Sequence, residues 1–131
     1  MGLNCSHGAF SGAYSAFNRF RQAVAKAANG SFPPHDIEGL DDNLWYWGDG
    51  YSKETHPGLY IFFSHSDCDG EISPEDCVKI ANELEELLLE LEKMGIGMGH
   101  IARQGGYAAV CRKFIDGCRL ATKRKKCLEF A

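Results

Sequence analysis

Ser73-Pro74-Glu75-Asp76 fixes a helix start more tightly than any other four residues of this chain. A serine hydroxyl can accept a first-turn amide, proline at the first helical position gives up no needed donor, and acids suit the positive end of the helix dipole. Behind it Cys77, Ile80, Ala81, Leu84, Leu87, Leu88 and Leu91 form one apolar stripe. Glu83, Glu85, Glu86, Glu90 and Glu92 make the remaining surface strongly acidic. A helix of that kind buries one side only, so other elements must cover it. Met94-Gly-Ile-Gly-Met-Gly-His100 ends it in a glycine-rich connection.

Two further helices supply the cover. Phe10, Ala13, Phe17, Phe20, Val24 and Ala27 repeat at three and four residues, which predicts a helix over 11–28 that Asn29-Gly30 stops. Tyr107, Ala108, Cys111, Phe114, Ile115, Cys118 and Ala121 mark a third helix. It begins near Ile101 or after Gly105-Gly106 and runs to about Lys125, with the basic Lys123-Arg-Lys-Lys126 at its negative pole. Leu59-Tyr-Ile-Phe-Phe63 is short, aromatic and apolar and predicts a buried strand. Residues 2–5 and 127–130 are the other strand candidates, the second beside 59–63. Between Ser31 and Gly58 the chain reads as irregular, anchored by Trp45 and Trp47. The expected architecture is one α+β domain over 1–131, about three helices packed on a minimal two- or three-stranded sheet.

At 131 residues with 44% hydrophobic content, the chain can bury a single core without disulfides. Six cysteines would fit a secreted scaffold, but Met1-Gly-Leu-Asn-Cys-Ser-His lacks the basic and apolar segments of a signal peptide. The expectation is therefore reduced thiols in a cytosol. No apolar run reaches the ~18 residues of a membrane span. A formal charge of −4 disfavours nucleic acid as a partner. The terminal basic cluster is read as a solvated helix end and Gly95-x-Gly97-x-Gly99 as a flexible connection, since neither a preceding strand nor a P-loop lysine accompanies it.

The richest concentration of metal-ligating side chains is His65-Ser-Asp-Cys-Asp-Gly-Glu-Ile-Ser73. It resembles an EF-hand calcium loop when Gly70 takes the obligatory glycine position, which puts Asp67, Asp69 and Ser73 on the third, fifth and ninth positions. The first position is then His65 and the twelfth Asp76, where a calcium loop carries aspartate and the longer glutamate. A softer metal fits better. Cys5-x-His7 and His65-x-x-Cys68 supply four nitrogen and sulfur ligands, the set a tetrahedral zinc site uses, with Asp67 and Asp69 as oxygen ligands or second partners. The plainer alternative is a structural turn in which Asp67 and Asp69 cap backbone amides, His65 is half-buried and Cys68 fills core space.

The N-terminal Cys-Ser-His-Gly-Ala-Phe-Ser-Gly-Ala-Tyr-Ser-Ala-Phe block and the central His-Ser-Asp-Cys-Asp-Gly-Glu-Ile-Ser-Pro-Glu-Asp together resemble a group of short uncharacterised bacterial and bacteriophage proteins. The resemblance covers roughly 3–20 and 60–80, with a looser match in the last helix. It implies that Cys5, His7, His65, Asp67, Cys68 and Asp69 form one feature, and it brings no activity with it. The leading expectation is a small cytosolic metal-binding protein, zinc ahead of calcium. One alternative is an interaction module that uses Trp45, Trp47 and the charged helix faces. Another is a hydrolase with a metal-bound water or Cys68 as nucleophile.

Overall fold

Phe17 is the point on which the packing converges: the ring centroids of Phe10, Phe20, Phe62, Phe114 and Phe130 lie 5.0, 6.1, 6.1, 6.1 and 5.9 Å from its own. Most of these contacts are edge-to-face, the arrangement the aromatic quadrupole favours. Rings from both ends of the chain and from three helices thus share one core. The structure is a computed structural model and describes residues 2–28, 54–66 and 69–131.

In chain order the described elements are β1 (Gly2–Asn4), a 3₁₀ turn at Ser6–Gly8, β2 (Ser11–Ala13), α1 (Tyr14–Ala27) and α2 (Pro57–Ser64). There follow β3 (Glu71–Ile72), α3 (Pro74–Glu85), α4 (Leu88–Lys93), α5 (Gly99–Arg103), α6 (Tyr107–Lys123) and β4 (Leu128–Glu129). This is the small α+β domain expected from the pattern. β1 pairs antiparallel with β2, and β3 with β4. The chain ends join the two ribbons: Cys5 faces Phe130, and Asn4 exchanges both backbone hydrogen bonds with Ala131 at 2.9 and 3.0 Å. Ser11–Ala13 leaves the predicted first helix because it pairs with β1.

α3 starts as read, with Ser73 Oγ accepting the Asp76 amide at 3.2 Å. Its stripe continues to Leu91 across a break at Glu86-Leu87, so one predicted helix becomes α3 and α4. α6 buries Val110, Cys111, Phe114, Ile115, Gly117, Cys118 and Ala121. At Gly117 it lies so close to the N-terminal segment that a Cβ would stand 2.5 Å from that of Ala9.

One element departs in kind: the 59–63 segment is helical, inside α2, not a strand. Pro57 occupies the first turn of α2, and the Glu83 carboxylate of α3 accepts the Gly58 and Leu59 amides, both at 2.9 Å. Those amides are orphans of a helix N-terminus, and a carboxylate reaching in from another helix satisfies them. The C-terminal strand accordingly pairs with β3 rather than with 59–63.

At the other end of α2 stands Arg21 of α1, 3% exposed, its guanidinium 4.7 Å from the Phe17 ring centroid. Its Nη1 donates to the carbonyls of Phe62, Phe63 and His65 at 3.2, 3.2 and 2.8 Å. Replacing it leaves buried carbonyls unsatisfied. Arg21→Leu is expected to lower the unfolding free energy by about 3 kcal/mol or more. Urea titration reads this, and a loss below about 1 kcal/mol would show that the guanidinium does not anchor α2.

Candidate functional site

The two ligand-bearing motifs meet on the C-terminal strand. On one side, Cys5 faces Phe130 and Ser6 Oγ accepts the Glu129 amide at 2.8 Å. On the other, the Phe130 amide donates to Gly70 O at 2.8 Å and the Phe130 ring lies 4.2 Å from the His65 ring. Of the six predicted site residues, Cys5, His7, His65 and Asp69 are described, whereas Asp67 and Cys68 lie outside the described residues, as do Trp45 and Trp47.

His65 follows α2 directly, its amide donating to Ile61 O at 3.0 Å. Its ring lies between two carbonyls, Nδ1 2.8 Å from Ser66 O and Nε2 3.2 Å from Glu71 O. Gly70 is left-handed at φ 96°, and a Cβ there would come within 3.3 Å of the imidazole. Ser66 Oγ, rather than an aspartate, accepts the Asp69 amide at 3.3 Å and holds the described part of the turn. Asp69 is exposed.

His7 is half-buried and takes φ 58°, an uncommon conformation for a non-glycine residue. Its Nδ1 is 2.8 Å from Ser6 Oγ. Cys5, in contrast, is 3% exposed, and burial pushes its thiol up to about 12 against the opposing pull of Arg21. Among the described residues, no three His, Cys, Asp or Glu side chains form a group that could hold a metal ion.

Cys77, Cys111 and Cys118 are core residues, while Cys127 is half-buried. A Cys118 hydrogen bond holds Cys77 below the ordinary thiol range, and the same bond with burial drives Cys118 above it. Burial pushes Cys111 up to about 12.

A second feature carries no sequence motif. An open groove of about 500 Å³ runs between α4 and α6, with Leu88 and Leu89 on one side, Ala108 and Ala109 on the other, and Glu85, Glu92 and Arg112 at its rim. Leu89 is 72% exposed. The signal lay in Leu87-Leu88-Leu89: three successive leucines on a helix cannot all face one core. Glu85 receives both Arg112, at 3.6 Å, and Arg119, and the Arg119 hydrogen bond holds its carboxyl below the ordinary range. Nearby, Glu86 is matched with His56 and Glu90 with Lys93, while among the described residues Glu92 has no ionic partner.

The Gly95-x-Gly97-x-Gly99 connection carries three left-handed glycines between α4 and α5, and a Cβ at Gly97 would sit 3.0 Å from the Tyr107 ring. No helix among the described residues is long and apolar enough to cross a membrane. No family model, no curated protein and no solved structure matches the chain.

The raised thiols give stability a pH dependence. Cys5 and Cys111 stay protonated in the fold to about 12, whereas in the unfolded chain thiols ionise near ~8.5. Their contribution is fully present below about pH 8.5 and is lost as pH rises toward the folded values. The urea midpoint should therefore fall from about pH 8.5 upward, and less steeply in Cys5→Ala/Cys111→Ala. Identical slopes in the two proteins would refute the assignment.

Proposed function

We propose that this chain is a small interaction module that docks a protein partner in the groove between α4 and α6. The observation that carries the reading is Leu89, a large apolar side chain 72% exposed at an open, apolar-floored groove. Scattered surface leucines are ordinary, but an exposed leucine beside a rimmed apolar hollow is the signature of a binding surface. α3 and α4 together carry seven acids and two lysines over 74–93, so charge as well as shape selects the partner. The buried thiols fit a reducing cytosol as the compartment.

A photo-crosslinking residue placed at Leu89 in cells is expected to give one defined protein adduct, mapped by peptide mass spectrometry. The same residue placed at Glu75 is the control, and Ala109→Glu should abolish the Leu89 adduct. Equal, diffuse labelling from both positions would overturn the reading.

A metal site is the second reading, favoured by the convergence of Cys5-Ser6-His7 and the His65 turn on one strand. It would draw its ligands from Cys5, His7, His65, Asp67, Cys68 and Asp69, with zinc ahead of calcium. About one zinc per chain is expected in untagged protein by plasma mass spectrometry, lost in Cys5→Ser/His65→Ala. Retention of the ion by that variant, or its absence from the parent, would remove the reading.

A further inference from the structure

We propose that the groove is occupied by a second copy of this chain, related by a two-fold axis. The inference rests on the groove being the interaction surface proposed above, and it names the partner. Each copy carries both halves of an apolar contact. The α6 bank offers the small Ala108 and Ala109, which leave a hollow, and the α4 bank offers Leu89, which projects.

Charge supplies the same complementarity. Glu85 is one carboxylate shared by two guanidiniums: Arg119, which Asp116 also attracts, holds it closely, and Arg112 on the groove rim, at 3.6 Å, is left only partly compensated. Glu92, on the α4 bank, is an exposed carboxylate with no ionic partner among the described residues. One bank has a surplus acid and the other a partly compensated base, both on the rim of one groove. A two-fold axis through the groove sets the acidic bank of each copy over the basic bank of the other, and every contact is then made twice. Glu92 of one copy meets Arg112 of its partner, where a carboxylate and a planar guanidinium pair well. A foreign partner would need this same alternation, whereas a second copy carries it by construction.

Sedimentation velocity on the purified chain from about 5 to 500 µM tests the proposal, a range that reads micromolar dimers. The parent is expected to shift from monomer to dimer. Glu92→Arg and Arg112→Glu should each weaken dimerisation about tenfold or more, because each places like charges together twice. Mixed in equal amounts, the two variants should recover dimer. In the mixed pair the introduced arginine of one variant faces the introduced glutamate of the other. The unaltered Arg112 of the first then faces the unaltered Glu92 of the second, so both contacts are again opposite in sign. Unchanged circular-dichroism melting of each variant separates this from misfolding, which no mixing would rescue. A chain monomeric throughout, or variants that dimerise like the parent, or a mixture that fails to recover, overturns the second-copy proposal. If the chain is monomeric and Leu89 still crosslinks to a different protein, only the identity of the partner fails. If it is monomeric and Leu89 labels nothing, the interaction reading fails with it.

Discussion

The buried guanidinium of Arg21 connects the parts of this protein that carry its chemistry to the parts that carry its stability. It lies against Phe17, the centre of the aromatic core, and it gathers three carbonyls at the end of α2. Removing a cation from water is costly, and the fold offsets that by aiming the negative end of a helix at it. The carbonyls gain as well, since the last turn of a helix has no amides of its own to bond them. The consequence reaches His65, whose carbonyl is the shortest of the three contacts at 2.8 Å. The start of the ligand-rich turn is thereby tied to α1, forty-four residues away.

Gly70 and the C-terminal strand hold the far side of that turn. The Phe130 amide reaches Gly70, the Phe130 ring covers His65, and the Glu129 amide reaches Ser6. Two segments that looked related only through their residue types share one strand as their common neighbour. What joins them is backbone and a serine hydroxyl, with Cys5 turned into the core and His7 left half-buried. The arrangement brings the motifs to one edge of the fold while committing much of their polarity to the backbone.

Local pattern carried the sequence reading where local physics decides the structure. Ser73-Pro74 caps α3 as its composition says, and the apolar spacing of α1 and α6 survives in the buried residues of each. The strand ends of the chain were legible for the same reason, short apolar segments next to turns. The 59–63 segment failed because its conformation is decided elsewhere. An aromatic run of that length satisfies strand and helix patterns equally. The Glu83 carboxylate, which holds the first turn of α2, comes from more than twenty residues later. Arg21 shows a different limit: on the wheel of α1 it lies beside Phe17 and Val24, opposite Arg19 and Lys26, and only the carbonyls that α2 brings to it explain a cation in the apolar stripe. Asp67, Cys68, Trp45 and Trp47 fall outside the described residues.

The groove lies just beyond the break between α3 and α4. Leu84, Leu87, Leu88 and Leu91 keep to one stripe across the turn at Glu86-Leu87, and Leu89 falls off it. Successive leucines therefore end in three states: Leu87 2% exposed, Leu88 half-buried and Leu89 72% exposed. Opposite them α6 presents alanines, too small to fill the space. A larger residue at Ala108 or Ala109 would close the hollow and cover Leu89 within the monomer, so the choice of alanine leaves apolar surface in water that burial would otherwise remove at ~25 cal/mol per Å². Such a surface is stable in isolation only at a cost, and covering it from outside recovers that free energy. The acidic and basic banks on either side then restrict which surface can do so, since an apolar floor attracts many partners and a charged rim rejects most of them.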